Sequence, residues 1–149
     1  MVHTDGGARG NPGPAGIGVQ ITDEEGEVVA ELARGIGPAT NNVAEYRAAI
    51  EGLRLAADRG AREVILKADS RLLIEQLAGR FRVKSAHLQR LHEEARTEMK
   101  RFDRVRLEHV PRERNVEADR LANAGIDEWL AGEGAGYRPP DPPAELFER

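Results

Sequence analysis

The sequence predicts one α/β domain built on a mixed five-stranded sheet, in the order βββαβααβα. Three observations predict it. Three strand-like runs open the chain, separated only by clusters of turn residues, which reads as an antiparallel meander. Apolar residues then recur at helical spacing from Asn42 to Asp58. Beyond Gly60, short strand patterns alternate with helical ones, so the sheet is mixed.

Taken in order, Met1 to Asp5 is a short first strand, and Arg9-Gly10-Asn11-Pro12-Gly13-Pro14-Ala15-Gly16 is a turn cluster. Ile17 to Thr22 alternates as a second strand. Gly26 sits in an acidic turn before a third, Val28 to Ile36. In the first helix Val43, Tyr46, Ala49, Ile50 and Leu53 form one apolar face, with Asn41 or Asn42 as cap and Glu45 in the first turn, where a negative charge suits the helix dipole. Glu63 to Ala68 reads as a buried strand and Ser70 to Ala78 as a short helix stopped near Gly79. Ala86 to Arg101 carries Leu88, Leu91, Ala95 and Met99 on one side. Arg104 to Val110 alternates as the last strand until Pro111 breaks it, and Val116 to Leu130 is the final helix. The expected domain is 1–131. The remaining residues, 132–149, form a Gly/Pro-rich tail expected to be poorly ordered.

Composition narrows the function classes. At 149 residues the chain is long enough for one real core. No apolar stretch approaches a membrane span, so no membrane association is expected. Zero cysteines exclude disulfides and thiolate zinc sites and fit a cytoplasmic protein. The net charge of -4 hides an asymmetry: residues 80–106 are net +5 and the rest of the chain -9. On charge alone a solvated helix face explains the basic segment. Beside an acid cluster, it is also what a phosphate-binding enzyme needs.

Four acids carry the functional argument. Asp5 lies in Thr4-Asp5-Gly6-Gly7, Glu45 in Thr40-Asn41-Asn42-Val43-Ala44-Glu45, Asp69 in Ala68-Asp69-Ser70 and Asp119 in Asn115-Val116-Glu117-Ala118-Asp119. Two acids at strand ends and two in first helical turns can converge on one face of an α/β sheet. Such a cluster repels itself unless a cation occupies it, and magnesium or manganese is the natural occupant of an all-oxygen donor set. Taken singly, each motif is ordinary: a turn, a helix cap, a strand-to-helix junction, a first-turn acid. Their coincidence in this order is what calls for a function.

Together with Gly10-Asn11-Pro12-Gly13-Pro14, these motifs resemble type 1 ribonuclease H over about Met1 to Ile126. The resemblance implies that family's sheet with helices on both faces. It implies an endonuclease that cuts the RNA strand of RNA/DNA hybrids with two Mg2+ ions, Mn2+ substituting, and leaves 5′-phosphate and 3′-hydroxyl ends. It makes Asp5, Glu45, Asp69 and Asp119 the catalytic, metal-holding residues. Asn11, Asn41 and Asn42 match minor-groove contacts, and Thr40 matches a position lining a pocket for a DNA-strand phosphate. Lys84 and its basic neighbours are candidate phosphate contacts on charge alone. The enzyme is expected to be a cytoplasmic monomer.

Two departures stand out. The loop Val110-Pro111-Arg112-Glu113-Arg114-Asn115 has no histidine where many bacterial members have one, so Arg112, Glu113 or Arg114 are candidates to assist. His109 is expected to be structural. A tryptophan-rich basic protrusion is also missing, since Trp129 is the only tryptophan. Both features resemble an archaeal-like subgroup, some of whose members act on RNA-DNA junctions or double-stranded RNA. The alternatives are a non-catalytic hybrid-binding module, which should have lost an acid, and a related phosphate-ester nuclease of the same fold, against which the Asn11, Asn41 and Asn42 set argues.

Overall fold

The structure is a computed structural model and describes residues 1–138. Among the described residues five strands and four α-helices follow one another as β1 (Val2–Ala8), β2 (Gly13–Thr22), β3 (Val28–Ala39), α1 (Asn41–Asp58), β4 (Glu63–Ala68), α2 (Arg71–Leu77), α3 (Ala86–Met99), β5 (Arg104–His109) and α4 (Val116–Ala131), with a 3-10 turn at Arg112–Arg114. This is the predicted order. The expectation of a poorly ordered tail falls partly on 139–149, outside the described residues. Within 132–138, Tyr137 stacks edge-on against Trp129 with ring centroids 5.8 Å apart.

The sheet order is β3-β2-β1-β4-β5. β1, β2 and β3 form the antiparallel meander, while β1 pairs with β4, and β4 with β5, in parallel. Parallel partners need a crossover: α1 brings the chain from β3 to β4 beside β1, and α2 and α3 carry it from β4 to β5. Alternation along the strands divides the two faces. Val2, Val19, Ile21 and Leu66 join Ile50 and Leu53 of α1, Leu73 and Leu77 of α2 and Leu91 of α3 in the main core. Each fully buried Leu or Ile there contributes roughly 2 kcal/mol through lost contact with water. Arg54 of α1 ties the helical layer together, donating to Glu94 at 2.7 Å and Glu98 at 3.2 Å on α3.

The other face packs differently. There α4 lies on glycines: a Cβ at Gly18 would stand 2.6 Å from Ala122 N, and one at Gly16 2.8 Å from Ile126 Cγ1. Backbone approaches backbone, and α4 is thereby brought down onto the middle of the sheet.

Three local expectations are corrected. The turn cluster ends earlier than its composition suggests, because Gly13, Pro14 and Ala15 pair with Ala39, Pro38 and Gly37 of β3. Long-range pairing overrides local turn propensity there. The cap of α1 is Thr40, whose Oγ1 accepts from the Val43 N–H at 3.2 Å, while Asn41 is already helical. Glu45 consequently lies beyond the first turn.

Candidate active site

Register places the acids. β1 and β4 run parallel with Thr4 opposite Ala68, so Asp5 and Asp69 follow side by side at the point where β4 ends. Beyond Thr4 the β4 edge of β1 has no ladder partner, and the Gly6 N–H donates instead to Glu45 Oε1 at 3.2 Å. Gly6 has no side chain to spare here, since a Cβ would overlap the Ala44 carbonyl and stand 2.6 Å from Glu45 N. Asp5, Glu45 and Asp69 each offer a carboxylate oxygen, and these oxygens all lie within 4.8 Å of one another. Asp119, in the first turn of α4, lines the same cleft as Asp5 and Glu45.

Electrostatics match this crowding. Burial, then the Asp69 and Asp119 carboxylates, pushes the Asp5 carboxyl up to about 7. Burial first, and Asp5 second, raises Glu45 well above the usual carboxylate range. Glu45 Oε2 is buried with no hydrogen-bond partner. An orphaned carboxylate oxygen among clustered acids suits a positively charged partner, and the donor set is all hard oxygen, so the residues fit divalent magnesium or manganese.

The cleft continues along the start of α1. Asn42 and Asn41 line it together with Arg9, Ser70, Arg112 and Asn123. Asn41 Oδ1 accepts from the Ala8 N–H at 2.8 Å, and Asn11 Oδ1 accepts from the Asn41 N–H at 3.0 Å. These bonds brace the β1–β2 turn against α1 through the carbonyl ends of both amides. Thr40 uses a lone pair as helix cap, which leaves its hydroxyl hydrogen to donate elsewhere.

The remaining candidates separate. Of the loop residues, Arg112 reaches the cleft, whereas Glu113 and Arg114 line a different groove with His3 and Gln20. Lys84 is exposed in the segment between α2 and α3 and does not line the cleft. His109 Nε2 lies 3.2 Å from the Asp69 carbonyl oxygen, a backbone contact.

Two residues were not singled out from the sequence. Arg9 reaches the cleft while paired with Asp127 at 2.7 Å. Its signal was a cation in the turn that follows the Asp5 motif. Asn115 is 2 % exposed and touches the Asp69 carboxylate. In the sequence it is only the first residue of the motif that opens the last helix.

A sheet ordered 3-2-1-4-5, with carboxylates from β1, α1, the end of β4 and α4 gathered at one cleft, defines a ribonuclease H-like domain. A family profile described as reverse transcriptase-like matches residues 3–125. A ribonuclease H of Pseudomonas putida is 36% identical over 145 residues, covering 87% of this chain and 95% of the relative. A bifunctional protein of Mycobacterium tuberculosis is 48% identical over 128 residues, covering 85% of this chain but 35% of the relative. The chain thus spans about a third of the length of that mycobacterial protein. The crystal structure of LC11-RNase H1 in complex with an RNA/DNA hybrid superposes with a TM-score of 0.82 at 43% identity, covering 87% of this chain and 97% of that one. The chain belongs to this reverse transcriptase-like family, in its type 1 ribonuclease H branch.

Proposed function

We propose that the protein is an endonuclease that hydrolyses the RNA strand of RNA/DNA hybrids with two divalent cations. It leaves 5′-phosphate and 3′-hydroxyl ends. The observation that carries the reading is the convergence of Asp5, Glu45 and Asp69 oxygens within 4.8 Å at the head of an amide-lined cleft.

Asp5, Glu45 and Asp69, whose oxygens lie within 4.8 Å of one another, would hold one ion, and Asp119 with Asp5 would help hold the other. When bound, the ions act as Lewis acids on the attacking and leaving oxygens of an in-line displacement. Magnesium, with manganese as substitute, suits the oxygen donors. The side chains of Asn41 and Asn42 offer both donor and acceptor to a ribose 2′-hydroxyl, the group that separates RNA from DNA. Asn11 braces Asn41, and Thr40 and Lys84 are proposed to meet phosphates of the DNA strand and the flanking duplex. Arg112 and Arg9 place positive charge at the cleft, where product phosphate must leave. Phosphate and sugar contacts of this kind carry little base information, so weak sequence preference is expected. We take the enzyme to be a cytoplasmic monomer, which size-exclusion chromatography and fractionation would check.

Cleavage of end-labelled RNA in a hybrid, with Mg2+ and then Mn2+, tests the reading, with RNA-DNA junctions and double-stranded RNA alongside. Internal cuts by the wild type but not by Asp69→Asn support it. Binding without cutting would make the chain a hybrid-binding module instead.

A further inference from the structure

We propose that Asn115 is a positioning residue of the metal site, holding the Asp69 carboxylate in the orientation in which it shares a cation with Asp5 and Glu45. The proposal rests on the reading of these acids as metal ligands.

Asn115 stands at the N-cap of α4, where an asparagine side chain ordinarily accepts from a helical N–H. Here it makes no such bond. The side chain turns inward instead and is 2 % exposed. Its Nδ2 donates to the Thr4 carbonyl at 2.8 Å and to Asp69 Oδ2 at 3.3 Å. Its backbone carbonyl accepts from the Asp119 N–H at 3.1 Å. One residue therefore joins the strand position before Asp5, the carboxylate of Asp69 and the backbone of Asp119.

The residue type follows from these contacts. Two acceptors must be met by one short side chain, and a primary amide carries two hydrogens on one nitrogen. Aspartate would offer neither and would add another negative charge beside Asp69. Asn115 Oδ1 is buried with no partner, so the amide is held by its donor side alone. Reversing it would set an oxygen against two oxygens, which makes the orientation unambiguous. A buried acceptor left unmet is unfavourable and persists where another demand overrides it. The demand here is on the carboxylate: with one oxygen tethered, Asp69 keeps its remaining lone pairs aimed at the cluster. Partners that hold a ligand in this way typically change metal affinity by about 10–100-fold when removed.

The test is Mn2+ binding by titration calorimetry on the full chain without nucleic acid, together with thermal unfolding in EDTA. Asn115→Ala is compared with Leu121→Ala, a truncation in the same helix at a side chain that packs over Gly18 and does not line the cleft. The expected result is a fall in Mn2+ affinity of about tenfold or more for Asn115→Ala. Leu121→Ala should lower Tm yet bind Mn2+ within about twofold of wild type. If Asn115→Ala does not fold, Asn115→Ser is measured in its place: it keeps a helix cap, and its hydroxyl falls short of Asp69. Wild-type affinity in the folded Asn115 variant overturns the proposal, as does an equal loss in Leu121→Ala, which would mark a general loosening. A wild type that binds no Mn2+ overturns the metal reading itself, and this inference with it.

Discussion

Gly6 and Glu45 are joined across the sheet–helix boundary, the Gly6 N–H donating to Glu45 Oε1 at 3.2 Å. The bond exists because β4 stops short of this stretch of β1 and because glycine lets α1 approach the strand backbone. Gly6→Ala would drive a methyl group into the Ala44 carbonyl. The expected cost is about 1–3 kcal/mol of stability from overpacking. Cleavage should fall about 100-fold or more, since small displacements of reacting groups are costly. Denaturant unfolding and hybrid cleavage check both. A variant as stable and active as wild type would show that the helix shifts freely.

Asp69→Asn removes a ligand charge and little volume. Cleavage should drop below about a tenth of wild type under magnesium, while hybrid binding persists. Gel-shift and cleavage assays on the same preparation separate the two.

Asp5 ties stability to pH. Its folded pKa, pushed up to about 7, lies above its unfolded value of 3.8. Folded protein therefore binds more protons than unfolded protein between these values. The stability from this group is full below the unfolded value and is lost as pH rises toward about 7. In EDTA, Tm should thus fall across this window more steeply for wild type than for Asp5→Asn, and Asp5→Asn should be the more stable at pH 8. A metal ion needs the charged carboxylates, so cleavage should rise over the same range in magnesium. Parallel Tm profiles for the two proteins would contradict the assigned repulsion.

Asn42 lines the cleft without belonging to the carboxylate cluster. Asn42→Ala should weaken hybrid affinity by about 1–2 kcal/mol, the scale of one lost polar contact, and leave Mn2+ binding unchanged. Unchanged hybrid affinity would remove Asn42 from the groove.

Arg112 alone of its loop reaches the cleft. Arg112→Ala should slow turnover by more than about threefold, with Glu113→Ala and Arg114→Ala staying within that margin. Steady-state kinetics on the three variants decide it. A uniform small effect would leave the loop without a catalytic part.

The order of strands and helices and the identity of the four acids were legible in the chain alone. Both are written in local patterns: the period of Val43, Tyr46, Ile50 and Leu53, the β-branched run before Asp69, the motifs around Asp5 and Asp119. How these pieces meet follows from long-range pairing and packing. Thr4 opposite Ala68 is a register between strands about sixty residues apart, and it alone puts Asp5 beside Asp69. Thr40 rather than Asn41 caps α1 because Asn41 is braced against Ala8 and Asn11. Asn115 turns its amide inward rather than onto the α4 backbone because folding brings two buried acceptors within its reach. Arg112 and Arg114, two residues apart and alike in composition, end in different grooves because the 3-10 turn aims them apart. Periodicity records what each segment buries, whereas a site depends on distances between segments, and those follow from pairing and packing that no single stretch of chain contains.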